Sequence, residues 1–187
     1  ATSADPLRII GDTAVKNGTF YANGDIPFCD SAHFYFNAGI QNRDASSAAF
    51  ARGGIGSDDI PSRNSAAMYP GGFVPFIDPY IQDRHASAGI WWNWNDWRVD
   101  ASQTFGYNKL NDTIRHTLNA SIANYDLEHG GTGISPDHFY AGGFSFSQAT
   151  TNLDFSRFFD GFMQGANVAF GGEFRRVGDR ARERDQR

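Results

Sequence analysis

The sequence predicts an all-β fold: an antiparallel meander of about six strands that forms part of a transmembrane β-barrel. Three observations lead there. Apolar and polar residues alternate with period two over most of the chain. Tryptophans crowd the apolar side of the central pair of segments, beside a tight break, as in the interfacial belt of a membrane barrel. Connections alternate between short and long, which gathers the long ones at one end of the meander.

Residues 1–13 carry little pattern. From Thr19, residues Phe20, Ala22, Gly24, Ile26 and Phe28 alternate with Tyr21, Asn23, Asp25 and Pro27, the proline weakening that end of the strand. Cys29-Asp30-Ser31 reads as a short turn. Phe34, Phe36, Ala38 and Ile40 then alternate with Tyr35, Asn37, Gly39 and Gln41, in a strand that runs toward Arg52. Residues 53–79 contain Gly53-Gly54, Gly71-Gly72 and Pro61, Pro70, Pro75 and Pro79 without periodicity. A loop this long is unusual in a compact domain unless it is functional.

The central hairpin follows. Ala86, Ala88, Ile90, Trp92 and Trp94 occupy every second position, and Trp91 is the one large apolar residue out of phase. After the break at Asn95-Asp96, Trp97, Val99, Ala101, Phe105 and Tyr107 alternate with Arg98, Asp100, Ser102, Thr104, Gly106 and Asn108, in a strand reaching about Asn119. Residues 120–137 form the second long loop, with Gly130-Gly131-Thr132-Gly133 inside it. Both long segments are expected to carry few buried contacts and to be the mobile parts.

Phe139 to Asp160 reads as the fifth strand, with Leu153 and Phe155 on one face and Asn152, Asp154 and Ser156 on the other. Phe144 and Phe146 have the opposite parity; a bulge accounts for that, or a position beyond the buried band. Gly161 to Ala166 is a short turn. Val168, Phe170, Gly172 and Phe174 then alternate with Ala169, Gly171 and Glu173. The charged run that follows breaks the pattern. The expected division is therefore a barrel segment over 1–176 and a disordered tail over 177–187.

Composition removes several function classes. Net charge is −5 with both signs mixed along 187 residues, so no basic patch suggests nucleic acid. No apolar stretch reaches the roughly 18 residues of a transmembrane helix. The negative mean hydropathy is compatible with barrel strands, which are apolar only at alternate positions. Cys29 is the single cysteine, which excludes an internal disulfide and a cysteine-based zinc site. The five histidines, at 33, 85, 116, 129 and 138, lack metal-ligand spacing. No nucleophile elbow, phosphate loop or dinucleotide fingerprint is present. Asp58-Asp59 and Asp154 read as solvated charge, since nothing brackets them into an acid–base pair. The expectation is no catalytic residue, no metal, no cofactor and no enzyme.

The aromatics admit two readings. Trp92, Trp94 and Trp97 form a membrane girdle, or exposed rings stack on sugars in a soluble, aromatic-rich β-sandwich that binds carbohydrate. The girdle is favoured because these rings share a face with Ala and Ile beside a turn.

Several strings carry a family resemblance. Met68-Tyr69-Pro70-Gly71-Gly72-Phe73-Val74-Pro75 precedes a strand, and Asn119-Ala120-Ser121 ends one. Phe139-Tyr140-Ala141-Gly142-Gly143-Phe144 leads to Gln148 and then Asn152-Leu153-Asp154-Phe155-Ser156-Arg157. Asn167-Val168-Ala169-Phe170-Gly171-Gly172-Glu173-Phe174-Arg175-Arg176 closes the series. In this order and spacing they resemble the β-barrel of a TonB-dependent outer-membrane receptor, over about residues 10–176. Members of that family enclose an N-terminal plug in a barrel of about 22 strands. They import scarce ligands such as ferric siderophores, cobalamin or saccharides, with energy from the TonB complex.

The resemblance implies a place in the bacterial outer membrane, in contact with its lipid. In the full-length parent it implies a plug domain, the TonB complex and a small-molecule ligand as partners. The sequence departs from the family in lacking a plug, a TonB box and an aromatic final strand, so the isolated segment is expected not to transport. In that setting Phe34, Phe36, Ile40, Ile90, Val99, Phe105, Leu153, Phe155, Val168 and Phe170 face lipid. Asn37, Gln41, Asp100, Ser102, Asn108, Asn152, Asp154 and Glu173 face the lumen. Tyr69, Phe73 and Phe76, on the first long loop, are the candidates for capturing ligand.

Overall fold

The computed structural model describes residues 13–161 and 164–182. Six strands follow one another: β1 (Ala14–Cys29), β2 (Ala32–Ala48), β3 (Phe76–Trp94), β4 (Trp97–Arg115), β5 (His138–Phe159) and β6 (Ala166–Arg182). A helix, α1 (Ala120–Glu128), lies between β4 and β5. The strands hydrogen-bond in chain order, each antiparallel to the next, as one sheet. The chain is thus the all-β antiparallel meander its alternation predicts. The sheet is not closed: among the described residues β1 and β6 have a neighbour on one side only.

The turns follow from local chemistry. Asp30-Ser31 joins β1 to β2. Asn95 (φ 48°) and Asp96 (φ 66°) are both left-handed, the backbone that matches the twist of a two-residue hairpin. Arg157 of β5 holds this turn, with Nη2 at 3.0 Å from Asp96 Oδ2 and Nη1 donating to the Asn95 carbonyl at 3.4 Å. The short turn expected over Gly161–Ala166 includes Phe162 and Met163, which lie outside the described residues.

Several boundaries differ from expectation. β1 starts at Ala14 rather than Thr19. β3 starts at Phe76, so Pro75 closes the first loop and Pro79 sits inside a central strand. The pairing of β2 with β3 runs through Asp44↔Tyr80 and resumes at Ser47↔Ile77, so the missing N–H of Pro79 falls in a gap of that ladder. β4 ends at Arg115, and the second loop contains α1 instead of being irregular throughout. The charged run past residue 176 continues β6 to Arg182, paired with Gly143–Gln148 of β5. Residues 183–187 of the expected tail lie outside the described residues.

Cross-strand partners share a face. One face carries Ile26, Phe34, Ile90, Ala101 and Leu153 in a single row. The next row toward the short turns adds Trp92, Val99, Phe155 and Phe170. We call this the outer face. The other, inner face carries Tyr35, Gly89, Ser102, Asn152 and Glu173 in one row, and His33, Trp91, Asp100 and Asp154 in another.

Phe144 and Phe146 belong to the inner face, and their parity has a plain origin. The register of β4 with β5 is unbroken from Arg98↔Ser156 to Asp112↔Gly142, so no bulge separates these rings from Leu153. They lie past the apolar band instead. The one irregularity is further along, where Asp112 pairs with Gly142 and Thr113 with Tyr140, leaving Ala141 unpaired. Gly142 adopts φ 117° there, a conformation L side chains rarely take.

Gly142→Val should therefore strain this bulge and lower the unfolding free energy by about 1–3 kcal/mol. A urea titration followed by tryptophan fluorescence measures it; an unchanged midpoint would show that the bulge is dispensable.

Candidate ligand site at the loop end of the sheet

Both long connections, 49–75 and 116–137, emerge at the same end of the sheet and pack on each other. The first begins as an extension of its strands. Ala49 N donates to Pro75 O at 2.8 Å, and Arg52 and Phe73 exchange N–H···O bonds of 2.7 and 3.0 Å. Beyond that bridge the chain folds back on itself. Ile55 N donates to Pro70 O at 2.8 Å, and Gly54 lies against the backbone of residues 70–72. A Cβ at Gly54 would sit 2.4 Å from the Pro70 carbonyl oxygen, so only glycine permits this approach.

Asn64 holds the fold-back. It is fully buried, donates from Nδ2 to the carbonyls of Gly53 (2.6 Å) and Tyr69 (3.0 Å), and accepts from Ser65 N at Oδ1 (2.7 Å). Burying an amide is tolerable only when its polar atoms are satisfied in this way. The second segment is latched to the first by side-chain bonds. Ser65 Oγ donates to Gly133 O (3.3 Å), and Asn124 Nδ2 reaches Pro61 O (3.1 Å) and Asn64 O (2.9 Å). Helix α1 starts where Asn119 Oδ1 accepts from Ile122 N at 3.2 Å, a side-chain cap.

The expectation of few buried contacts in these segments is therefore overturned. Phe73, Val74 and Ala123 lie here and are among the four buried apolar residues of the described chain, with Val99 the fourth. The period-two pattern gave no hint of this small core. Its glue is side-chain-to-backbone hydrogen bonding between residues as far apart as Ser65 and Gly133.

The three candidate capture residues separate. Phe73 is 3% exposed and lines an open cleft of about 540 Å³. Tyr69 stacks on Phe73 at 4.4 Å and meets the edge of His116 at 5.1 Å. Burial, with the negative charge of Asp137 second, pushes the Tyr69 phenol up from its ordinary range. Its Oη donates to the Thr117 carbonyl at 3.2 Å. Phe76 lies on the outer face, beneath the Arg115 guanidinium at 4.4 Å, and does not line the cleft. The cleft floor includes Ile77, Ile114 and Phe139 from the inner face of three strands, and its polar rim includes Arg52, Arg63 and Asn119. Sequence alone places Ile77 in the first long loop and Ile114 on the fourth strand; neither these residues nor the arginines carry a sequence signal for the cleft.

No protein-family model, curated protein or solved structure matches this chain. The chemistry of the site rests on its own residues.

The remaining named residues fall into two sets. All eight of Asn37, Gln41, Asp100, Ser102, Asn108, Asn152, Asp154 and Glu173 are on the inner face. Asp100 accepts from Tyr35 Oη at 2.6 Å, and the Tyr35 ring gets there by lying over Gly89. Asn108 donates to Asp83, and Glu173 pairs with Arg175 at 2.7 Å. Asp154 lies across Gly171. Trp91, the out-of-phase tryptophan, is also here, with the His33 ring stacked on it at 4.3 Å and the Arg98 guanidinium at 4.2 Å. Trp92, Trp94 and Trp97 are on the outer face at the short-turn end. Trp97 meets Phe170 and Phe159 edge-on at 5.4 and 6.2 Å. Among the described residues no group of His, Cys, Asp and Glu is arranged to hold a metal ion.

Asn64→Ala would leave the Gly53 carbonyl and the Ser65 N–H without partners, at about 1–3 kcal/mol for each buried group left unsatisfied, while the Tyr69 carbonyl would keep Gly72 N at 3.0 Å. Hydrogen exchange should then accelerate across 53–73 and 117–135 while β3 and β4 keep their protection. Unchanged exchange in both loops would remove Asn64 from this role.

Proposed function

We propose that this chain is a segment of the wall of a bacterial outer-membrane barrel of the TonB-dependent receptor type, whose loop end captures a small-molecule ligand. The observation that carries the reading is the two-faced sheet. Its outer face presents an apolar band with no protein layer over it among the described residues, while the inner face at the same height is mostly polar and internally hydrogen-bonded. Phe20, Ile26, Ile90, Leu153, Phe170 and Phe174 are all exposed on that outer face. Water is a poor medium for such a contiguous surface.

The dimensions of the band support lipid as its medium. From Trp97 to Tyr107 the outer face of β4 runs about 33 Å at roughly 3.3 Å per residue. A strand tilted by about 40° carries that distance to about 25 Å of membrane depth, the usual height of a barrel's apolar band. Aromatic rings mark both limits. The mid-band polar side chains Gln103 and Thr151 satisfy each other, with Thr151 Oγ1 donating to Gln103 Oε1 at 2.5 Å. Beyond Tyr107 the same face turns polar, with Gln82, Lys109 and Ser145 in one row.

A soluble carbohydrate-binding sandwich is less well supported, because it needs a second sheet packed on the apolar face. The free edges of β1 and β6 require further strands, from the rest of the wall or, in a reconstituted sample, from a second copy of this chain, since unpaired backbone groups in hydrocarbon cost several kcal/mol each and barrels begin at about eight strands. On this reading the inner face lines a lumen and meets a plug domain, the loop cleft is open to the outside, and import depends on the TonB complex. Transport by this segment alone is not part of the proposal.

Two experiments test the membrane reading. In single-tryptophan variants reconstituted into vesicles of brominated phosphatidylcholine, Trp92, Trp94 and Trp97 should be quenched and Trp91 spared. Equal quenching of all four, or of none, would sink the assignment of faces. Separately, Ile90→Arg should prevent protease-protected assembly, since a cation on the lipid face near mid-membrane costs about 2–4 kcal/mol. Ser102→Arg, one row-mate away on the opposite face, should assemble normally.

A further inference from the structure

We infer that the outer face just past the Tyr107 girdle is a docking surface for anionic lipid headgroups, with Lys109, Ser145 and Arg180 forming a headgroup-phosphate site. The inference rests on the membrane reading above and adds the lipid chemistry that this edge of the wall selects.

Charge distribution carries it. Three consecutive outer-face rows, those containing Phe105, Tyr107 and Lys109, hold the cations Arg84, Lys109, Arg176 and Arg180 and no carboxylate. In a chain of net charge −5 this is a local reversal of sign. The carboxylates at the same height, Asp83 and Asp179, are on the inner face, in the row of Asn108. Lys109, Arg176 and Arg180 take part in no ion pair among the described residues. Arg84 is held down by the Gln41 and Asp83 carbonyls (3.1 and 2.9 Å) and by Asn42 Oδ1 (3.0 Å).

Geometry narrows the belt to a site. Ser145 pairs with Lys109 on one side and Arg180 on the other, so two cations flank one hydroxyl in a single row. An open groove of about 390 Å³ lies between them, lined also by Tyr107, Asn111 and Gly143. This donor set suits a phosphodiester: an ammonium point charge, a guanidinium fork and a neutral donor between them. Its position one row beyond the last apolar residues of β4 is where a headgroup sits when the acyl chains lie against the band.

The test is electron spin resonance of the 187-residue chain in phosphatidylcholine vesicles, comparing spin-labelled phosphatidylglycerol with spin-labelled phosphatidylcholine. The chain should prefer the anionic lipid. Lys109→Gln and Arg180→Gln should each lower that preference about fivefold, the weight of one basic side chain at an anionic surface. Arg98→Gln, on the opposite face, should leave it unchanged. Equal association of the two lipids, a preference untouched by both variants, or displacement by excess inorganic phosphate would overturn the inference. Tryptophan quenching in the same samples separates the two claims. Quenched girdle tryptophans without a lipid preference overturn this inference alone, whereas unquenched ones overturn the membrane reading with it.

Discussion

From Arg98 to Asp112 every residue of β4 is paired to β3 on one side and to β5 on the other, with no shift of register. Side chains alternate between faces with period two, so a slip of one residue anywhere along this ladder would exchange the two faces. Apolar groups would then crowd the polar side, and Asp100, Asp154 and Glu173 would point outward. The sheet has no second layer among the described residues, so it cannot draw its order from a packed interior. Order comes from the ladder and from contacts along rows, such as Ser87 Oγ to Thr104 Oγ1 at 2.9 Å and the Tyr35–Asp100 bond. A net gain of about 0.5–1.5 kcal/mol per hydrogen bond is small singly and large over strands this long.

Past Tyr107 the two faces exchange character while the register holds as far as Asp112↔Gly142, before the bulge at Ala141 shifts β5 by one residue. On the inner face, Ile81, Leu110 and Phe144 form one row, and Ile77, Ile114 and Phe139 another. On the outer face the corresponding rows hold Gln82, Lys109, Ser145 and Arg180. This crossover gives the long strands two environments. Below it the outer side is apolar. Above it the apolar residues turn inward, where the two loops fold over them and the open cleft takes its floor. In the proposed bilayer the crossover coincides with the membrane surface, which gives both halves of each strand a reason for their pattern.

What was legible in the sequence is what period two encodes. The strand faces, the turn at Asn95-Asp96 and the alternation of connection lengths all follow from local spacing. The crossover was only half legible: the parity of Phe144 and Phe146 left a bulge and a position beyond the apolar band as equal readings, and only the unbroken β4–β5 register decides between them. Likewise the charged residues 177–182 resemble a tail, although above the band a strand needs no apolar content. Pro79 hid the start of β3, since a proline inside a central strand is tolerated only opposite a ladder gap. Helix α1 was missed because its apolar residues, Ala120, Ile122, Ala123, Tyr125 and Leu127, do not gather on one face: only Ala123 is buried, and Ile122, Tyr125 and Leu127 are exposed. The loop core was out of reach: Asn64, Ser65 and Asn124 act on backbone atoms distant in sequence, and no spacing announces them.

The loops and the sheet are held by different kinds of bond, and this bears on how a site there works. The cleft floor belongs to β3, β4 and β5, which stay paired to the loop end, the β3–β4 ladder without interruption and the β4–β5 ladder with one bulge at Ala141. Its cover belongs to segments joined by a few side-chain-to-backbone bonds: Ser65 to Gly133, Asn124 to Pro61 and Asn64, and Tyr69 to Thr117. At about 1 kcal/mol each, these bonds can open together at a free energy well below that of parting two strands. On the proposed reading the cover is the part that rearranges around a ligand, while the floor, and the register that fixes both faces of the sheet, stays in place. A binding surface with a rigid base and a separately latched lid needs no movement of the strands to admit its ligand.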